Sequence, residues 1–278
     1  MTTPEIGRER ARLVKLIASD LDGTLLIRDG ENLSISERTV QAVHAAQDAG
    51  IKFAVCTGRQ LWNQPEAVDL LNPDYVVSSN GAIARDRDWN ILFSTCISPE
   101  TQRAIVSYYS EHLPGLYFGT ASQEEGMMLV EPGYQELAQH EDGQARVAPL
   151  DEVIGKPTLK LMARSATVTA AQMQEALDAS GLTGFHGTTS GAPFVEIMGE
   201  GVDKASGLAK LAAHMGIGRE NVMCAGDAWN DIEMLSWAGL GVAMGDGEDD
   251  AKAAADVVTG DLRDDGLAQA IEEVLAER

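Results

Sequence analysis

Five short stretches of the chain carry groups that can handle a hard cation or an anion. Asp20 and Asp22 stand at i and i+2, directly after the apolar run 14–19 and before Gly23 and Thr24. Thr57, Gly58 and Arg59 follow a second run, 51–56, and Asn80 with Gly81 follows a third, 75–79. Asp227, Asn230 and Asp231 close a fourth, 221–225, and Lys204 opens the helical pattern that leads into it. Gathered carboxylates repel and raise one another's pKa values unless a cation joins them. Oxygen donors with no His or Cys among them favour a hard divalent ion, Mg2+ above all. The Thr57 hydroxyl, Gly58 amide, Lys204 ammonium and Asn230 amide suit an anion with several oxygens. A carboxylate nucleophile among metal, lysine and hydrogen-bond donors is the apparatus of phosphoryl transfer. Hydrolysis of a phosphate monoester requires acceleration of up to ~10²¹-fold, so several electrostatic effects must act together. Taken singly, Asp-Gly and Asn-Gly are ordinary turn formers; the combination is what argues for chemistry.

Four of these stretches share one position, the carboxyl end of a strand. Runs hydrophobic on both faces read as central strands of a parallel sheet, and their carboxyl ends fall on a single edge where ligands bind. Helical patterns separate them. Ser34-Ile35-Ser36-Glu37 reads as a capping box opening a helix to about Ala49, with Gly50 closing it. A further helix is predicted over 60–71, and Asp203 can cap another over 204–214. The alternation predicts an α/β class with a doubly wound, Rossmann-like parallel sheet. Between 82 and 198 the rhythm changes to short runs at 91–96, 116–120, 127–130, 158–163, 185–188 and 193–198. Helical patterns at 99–112, 134–140 and 169–180 lie among them. An α+β cap inserted over 84–199 into a discontinuous core of 1–83 and 200–278 is the expected organisation.

Composition narrows the partners. The net charge of −22 opposes binding to nucleic acid or to an anionic membrane, both of which need clustered Lys and Arg. An anionic substrate must therefore be drawn in by a local cation. No apolar run approaches the roughly 20 residues of a membrane span. The first dozen residues are polar, with no apolar stretch of a signal peptide, and read as a frayed tail; cytoplasmic residence is expected. Cys56, Cys96 and Cys224 lack metal-site spacing and read as reduced thiols. The five histidines share no spacing, and of them only His186 is a candidate for substrate contact. The order of subunits is not legible.

The motifs as a set, Asp20-Leu21-Asp22-Gly23-Thr24-Leu25-Leu26, Thr57-Gly58-Arg59, Ser79-Asn80-Gly81-Ala82, Gly201-Val202-Asp203-Lys204 and Gly226-Asp227-Ala228-Trp229-Asn230-Asp231, resemble the haloacid dehalogenase superfamily. More closely they resemble its Cof-type sugar-phosphatase branch, with a large α/β cap after the third strand. The resemblance implies Asp20 as the nucleophile that becomes an aspartyl-phosphate, and Asp22 as general acid and then base. It implies Mg2+ on Asp20, the Asp22 backbone carbonyl and Asp227, with Asp231 in support. It implies the Leu21 amide, Thr57, Gly58, Lys204 and Asn230 around the phosphoryl oxygens. Arg59, Asn80 and Gly81 join His186 as candidates for substrate contact. Where the family shows Ser-Lys-Gly, this chain has Asp203-Lys204-Ala205, and the asparagine the family carries before its late Asp-Gly-Val is absent from 259–266. The expected activity is Mg2+-dependent hydrolysis of a small phosphorylated metabolite, a sugar phosphate first. A sugar phosphomutase and a non-catalytic sensor of phosphorylated ligands are the alternatives.

Overall fold

The structure is a computed structural model that describes residues 6–60, 66–121, 127–138, 145–189 and 193–278. The chain forms two compact units. One comprises the described residues of 6–59 and 66–93 together with Asp203–Arg278; the other comprises Gln60 and those of Ser94–Val202. Among the described residues no helix is long and apolar enough to cross a membrane.

The first unit is built on an eight-stranded sheet. Its strands lie in the order Val257–Val258, Leu240–Ala243, Val222–Gly226, Leu16–Ser19, Lys52–Cys56, Tyr75–Ser78, Ile83–Asp86, Ile91–Ser94. The first six pair in parallel, and Ile83–Asp86 runs antiparallel to Tyr75–Ser78. The Leu16–Ser19 strand is buried along its whole length, as a central strand covered on both faces must be. Its side chains alternate between two cores. Ile17 joins Phe53, Val55, Met223 and Val242 on one face, and Leu16 and Ala18 join Ala54, Cys56, Val222 and Cys224 on the other. Helices Glu37–Asp48 and Gly266–Ala276 supply Val43 and Ile271 to the first core; Lys204–Met215 and Ile232–Trp237 supply Leu208 and Met234 to the second.

Four local expectations change. The Glu37–Asp48 helix is capped by Ser36, whose Oγ accepts from the Thr39 amide at 3.1 Å, rather than by Ser34. Ser34 instead ends a small hairpin, Ile27–Asp29 with Asn32–Ser34. The helix predicted over 60–71 is a 3₁₀ helix across Glu66–Leu71, and 61–65 lie outside the described residues. The first residues are not a frayed tail where they are described. Arg8–Leu13 is a helix with Ala11 fully buried, and it is tied to the last helix by Arg8–Glu277 at 2.6 Å and the Ile6 amide on Glu273 at 2.5 Å. The inserted unit begins after Phe93 instead of at 84 and ends at Val202 instead of 199. The reason is that Ile83–Asp86 and Ile91–Ser94 extend the large sheet, with Leu92 and Phe93 packed on its second core. Short alternating strands look the same in sequence whichever sheet they join.

The second unit has a six-stranded sheet in the order Ala145–Val147, Met128–Val130, Tyr117–Ala121, Lys160–Arg164, Phe194–Gly199, Phe185–Thr188. Helices Pro99–His112 and Ala170–Ala179 cover one face through Ile105, Tyr109, Met173 and Leu177, and the Tyr109 hydroxyl donates to the Met173 carbonyl at 2.9 Å. On the other face the Pro132–Ala138 helix packs Tyr134 and Ala138 near Met162. Arg164 lies there between the rings of Tyr134 and Phe194, and Lys160 is ion-paired with Glu196.

Candidate active site

The carboxyl ends of the central strands converge as the parallel topology requires. Asp20 follows Leu16–Ser19, Thr57 follows Lys52–Cys56, Asn80 follows Tyr75–Ser78 and Asp227 follows Val222–Gly226. Asp20, Asp227 and Asp231 bring carboxylate oxygens within 4.8 Å of one another. Lys204, fully buried in the first turn of its helix, donates through Nζ to Asp20 Oδ1 at 2.6 Å and to Asp231 Oδ1 at 2.5 Å. A cation at a helix N-terminus runs against the helix dipole, so the two carboxylates set this placement. Asp203 does what the sequence suggests, capping the helix by accepting from the Ser206 amide at 2.6 Å.

One ammonium cannot neutralise three carboxylates. Burial first, then the neighbouring Asp231 and Asp227, push the Asp20 carboxyl up to about 7 against the pull of Lys204. Burial likewise lifts Asp227 to about 6, although Thr24 Oγ1 donates to its Oδ1 at 2.8 Å. Burial opposes the charge on Lys204, and Asp20 and Asp231 outweigh it, so the lysine titrates above its usual range and stays charged. The excess negative charge of an all-oxygen donor set is what a hard divalent cation would cancel. Asp231 is the most committed of the three: its Oδ2 accepts from the Asp227 and Ala228 amides, both at 3.0 Å, while its Oδ1 takes Lys204.

Close backbone approach shapes the rest. Gly23 has φ +87°, and a Cβ there would stand 2.2 Å from Asp227 Oδ2, so the Asp20 loop and the Asp227 loop meet only because this residue is glycine. The Ser79-Asn80-Gly81 turn has three successive positive φ values, 52°, 52° and 94°. A Cβ on Gly81 would lie 2.1 Å from the Asp203 carbonyl, which is how the turn seats the helix that bears Lys204. The turn places Asn80 Oδ1 3.5 Å from Asn230 Nδ2 and against Gly58. Thr57 is buried, and its Oγ1 accepts from the Arg59 amide at 3.1 Å.

Asp22 stands apart from the carboxylate cluster. Both of its oxygens are held by Arg59, Nε on Oδ2 and Nη2 on Oδ1, each at 2.6 Å. Leu21 is buried, and its carbonyl accepts from the Leu25 and Leu26 amides. His186 belongs to the second unit, where its Nδ1 lies 3.1 Å from the Gly199 carbonyl. Two contacts were not anticipated: Thr24 on Asp227, and Arg59, a candidate for substrate contact, on Asp22. Thr24 lies within the first motif, but its partner is 203 residues away, and no local spacing reports that.

A Rossmann-like sheet whose strand ends gather three carboxylates around a buried lysine is an α/β fold suited to phosphoryl transfer. The sequence profile of the haloacid dehalogenase-like hydrolases matches residues 17–271, and the chain belongs to that family. It is 29% identical over 259 residues to a 5-amino-6-(5-phospho-D-ribitylamino)uracil phosphatase of Bacillus subtilis, YcsE, covering 93% of this chain and 94% of the relative. The solved structure of the superfamily phosphatase BT1666 from Bacteroides thetaiotaomicron matches with a TM-score of 0.82 at 26% identity, covering 98% of this chain and 99% of that one. The subclass IIB sugar phosphatase BT4131 shares the fold with a TM-score of 0.79 at 24% identity, over 95% of this chain and all of that one. The Cof-type resemblance seen in the motifs therefore holds, and the chain is a phosphoric monoester hydrolase.

Proposed function

We propose that the chain hydrolyses a small phosphorylated metabolite, with sugar phosphates as the first class, through an aspartyl-phosphate on Asp20. The observation that carries this reading is the buried Asp20 carboxylate with one oxygen bonded to Lys204 and its neighbours Asp227 and Asp231 within metal-sharing distance. The donor set fits Mg2+: Asp20, Asp227 and the Asp22 backbone carbonyl would hold it, with Asp231 behind them. The ion would supply charge neutralisation for the phosphoryl group and the gathered carboxylates.

In the first step the Asp20 oxygen not bonded to Lys204 attacks phosphorus, and the ester P–O bond breaks. Asp22 gives its proton to the departing alcohol oxygen. In the second, Asp22 takes a proton from water as the water oxygen attacks phosphorus and the bond to Asp20 breaks, releasing inorganic phosphate. The Lys204 ammonium, the Leu21 and Gly58 amides, the Thr57 hydroxyl and the Asn230 amide would hold the phosphoryl oxygens. Thr57 already spends its acceptor on the Arg59 amide, which leaves its proton for an anion. The same reading has no nucleic-acid partner, which the −22 charge opposes.

The test is Asp20→Asn assayed against a panel of sugar phosphates with Mg2+ present. The variant is expected to lose turnover while a folded spectrum and phosphate binding persist. Undiminished release of phosphate from that variant would show that Asp20 is not the nucleophile.

A further inference from the structure

Hydrogen bonds already commit most of the oxygens that the three clustered carboxylates could offer a cation. Asp231 gives Oδ1 to Lys204 and Oδ2 to the Asp227 and Ala228 amides. Asp20 gives Oδ1 to Lys204, and its other oxygen is the nucleophile of the reading above. Asp227 is therefore the acid of the cluster that decides whether one carboxylate can grip a cation with both oxygens. Thr24 takes one of that pair: its Oγ1, on a residue only 1% exposed, donates to Asp227 Oδ1 at 2.8 Å.

Both ends of this bond are anchored. The Leu25 and Leu26 amides donate to the Leu21 carbonyl at 2.9 and 2.8 Å, closing the turn that carries Thr24. The Asp227 amide donates to Asp231 Oδ2 at 3.0 Å, and its carbonyl accepts from the Glu248 amide at 2.7 Å. A cation gripped by both oxygens lies on the open side of a carboxylate. Asp227 would have to turn toward it and give up Thr24, leaving a buried hydroxyl without its acceptor. Losing a buried hydrogen bond to a charged group costs on the order of tenfold in an equilibrium constant. Hard divalent ions feel this cost differently. Mg2+ demands octahedral geometry, keeps several waters and needs only one or two carboxylates, whereas Ca2+ takes about six to eight oxygens and readily uses both of one carboxylate. We propose that Thr24 is a positioning residue for Asp227, confining it to single-oxygen ligation and so turning the site toward Mg2+ and against Ca2+. The proposal rests on Asp227 acting as a metal ligand.

Titration calorimetry without substrate gives Kd for Mg2+ and for Ca2+ on wild type, Thr24→Val, Thr24→Ala, Thr24→Ser and Asp227→Asn. Valine keeps the shape and removes the donor, alanine removes both, and serine keeps the hydroxyl. Thr24→Val and Thr24→Ala are expected to raise the affinity for Ca2+ relative to Mg2+ by roughly tenfold, with Thr24→Ser close to wild type. Damage to packing weakens both ions together, so the ratio separates selection from a merely structural role. Infrared difference spectra of the Ca2+-loaded protein read the ligation itself. The splitting between antisymmetric and symmetric carboxylate stretches should narrow in Thr24→Val, as two-oxygen binding requires, and not in wild type. A two-oxygen signature in the wild-type protein would overturn the proposal with no variant needed. So would a ratio unchanged in the valine and alanine variants, or one that rises equally in Thr24→Ser. If Asp227→Asn binds Mg2+ as tightly as wild type, the ligand assignment fails; if it binds weakly and Thr24→Val keeps the wild-type ratio, the inference about Thr24 fails alone.

Discussion

Asp20→Asn should make the metal-free protein more stable at neutral pH while abolishing turnover. Burial and the nearby acids lift the Asp20 carboxyl from 3.8 to about 7 in the fold. A group whose folded pKa lies above its unfolded value binds more protons in the native state between those two values. Its stabilising contribution is full below about pH 4 and is lost as pH rises through about 7. The difference of about 3 pKa units corresponds to about 4 kcal/mol at 1.36 kcal/mol per unit. Asparagine has the same shape and no charge, and Lys204 keeps its 2.5 Å partner in Asp231. The stability gap between variant and wild type should therefore be wide at pH 8 and narrow by roughly 2.6 kcal/mol at pH 5, from the same linkage.

Urea denaturation of both proteins in EDTA at the two pH values measures that gap directly, and the other titrating groups largely cancel in the difference. Saturating Mg2+ at pH 8 should close much of it, since ligand at a hundredfold excess over Kd stabilises by about 2.7 kcal/mol and should favour the intact carboxylate set. A gap of equal size at pH 5 and pH 8, or one that widens toward acid, would refute the burial argument. Equal gains from Mg2+ in both proteins would refute Asp20 as a ligand.

Three further outcomes follow from the same geometry. Gly23→Ala, which sets a methyl 2.2 Å from Asp227 Oδ2 at φ +87°, should cost on the order of 2 kcal/mol or more and weaken Mg2+ activation, read by thermal denaturation and metal titration. Lys204→Met removes the cation from between two carboxylates and should cost about 3–5 kcal/mol at pH 8. That cost should be smaller at pH 5, where Asp20 takes up a proton, and equal costs at both pH values would contradict the shared-cation picture. Ser79→Gly should stabilise the fold by about 1 kcal/mol, because it relieves a positive φ of 52° and removes a buried hydroxyl that has no hydrogen-bond partner; a destabilised variant in urea would show the serine to be doing something else.

The residues that converge were legible, and the reason is topological. A strand buried on both faces must be an apolar run, and successive parallel runs leave their carboxyl ends on one edge. Asp20, Thr57, Asn80 and Asp227 could thus be assigned to one place before any coordinate was known. Elements whose signal is local were read nearly to the residue, as with Pro99–His112 and the helical pattern over 169–180, which is the helix Ala170–Ala179. What escaped depends on partners distant in sequence. Arg8–Leu13 becomes a helix through contacts more than 250 residues away. Ile83–Asp86 and Ile91–Ser94 have the rhythm of the inserted unit and the sheet of the core.

The same distinction separates the two carboxylates of the first motif. Their spacing of two residues is fixed by the chain, but their environments are supplied from elsewhere: Lys204, Asp227 and Asp231 around Asp20, and Arg59 on Asp22. Asp20 is buried among acids, which raises the cost of its charge and gives a cation something to relieve. Asp22 is half exposed, and both of its oxygens are held by an arginine. Two identical side chains two residues apart meet different surroundings because the sheet brings a different loop to each.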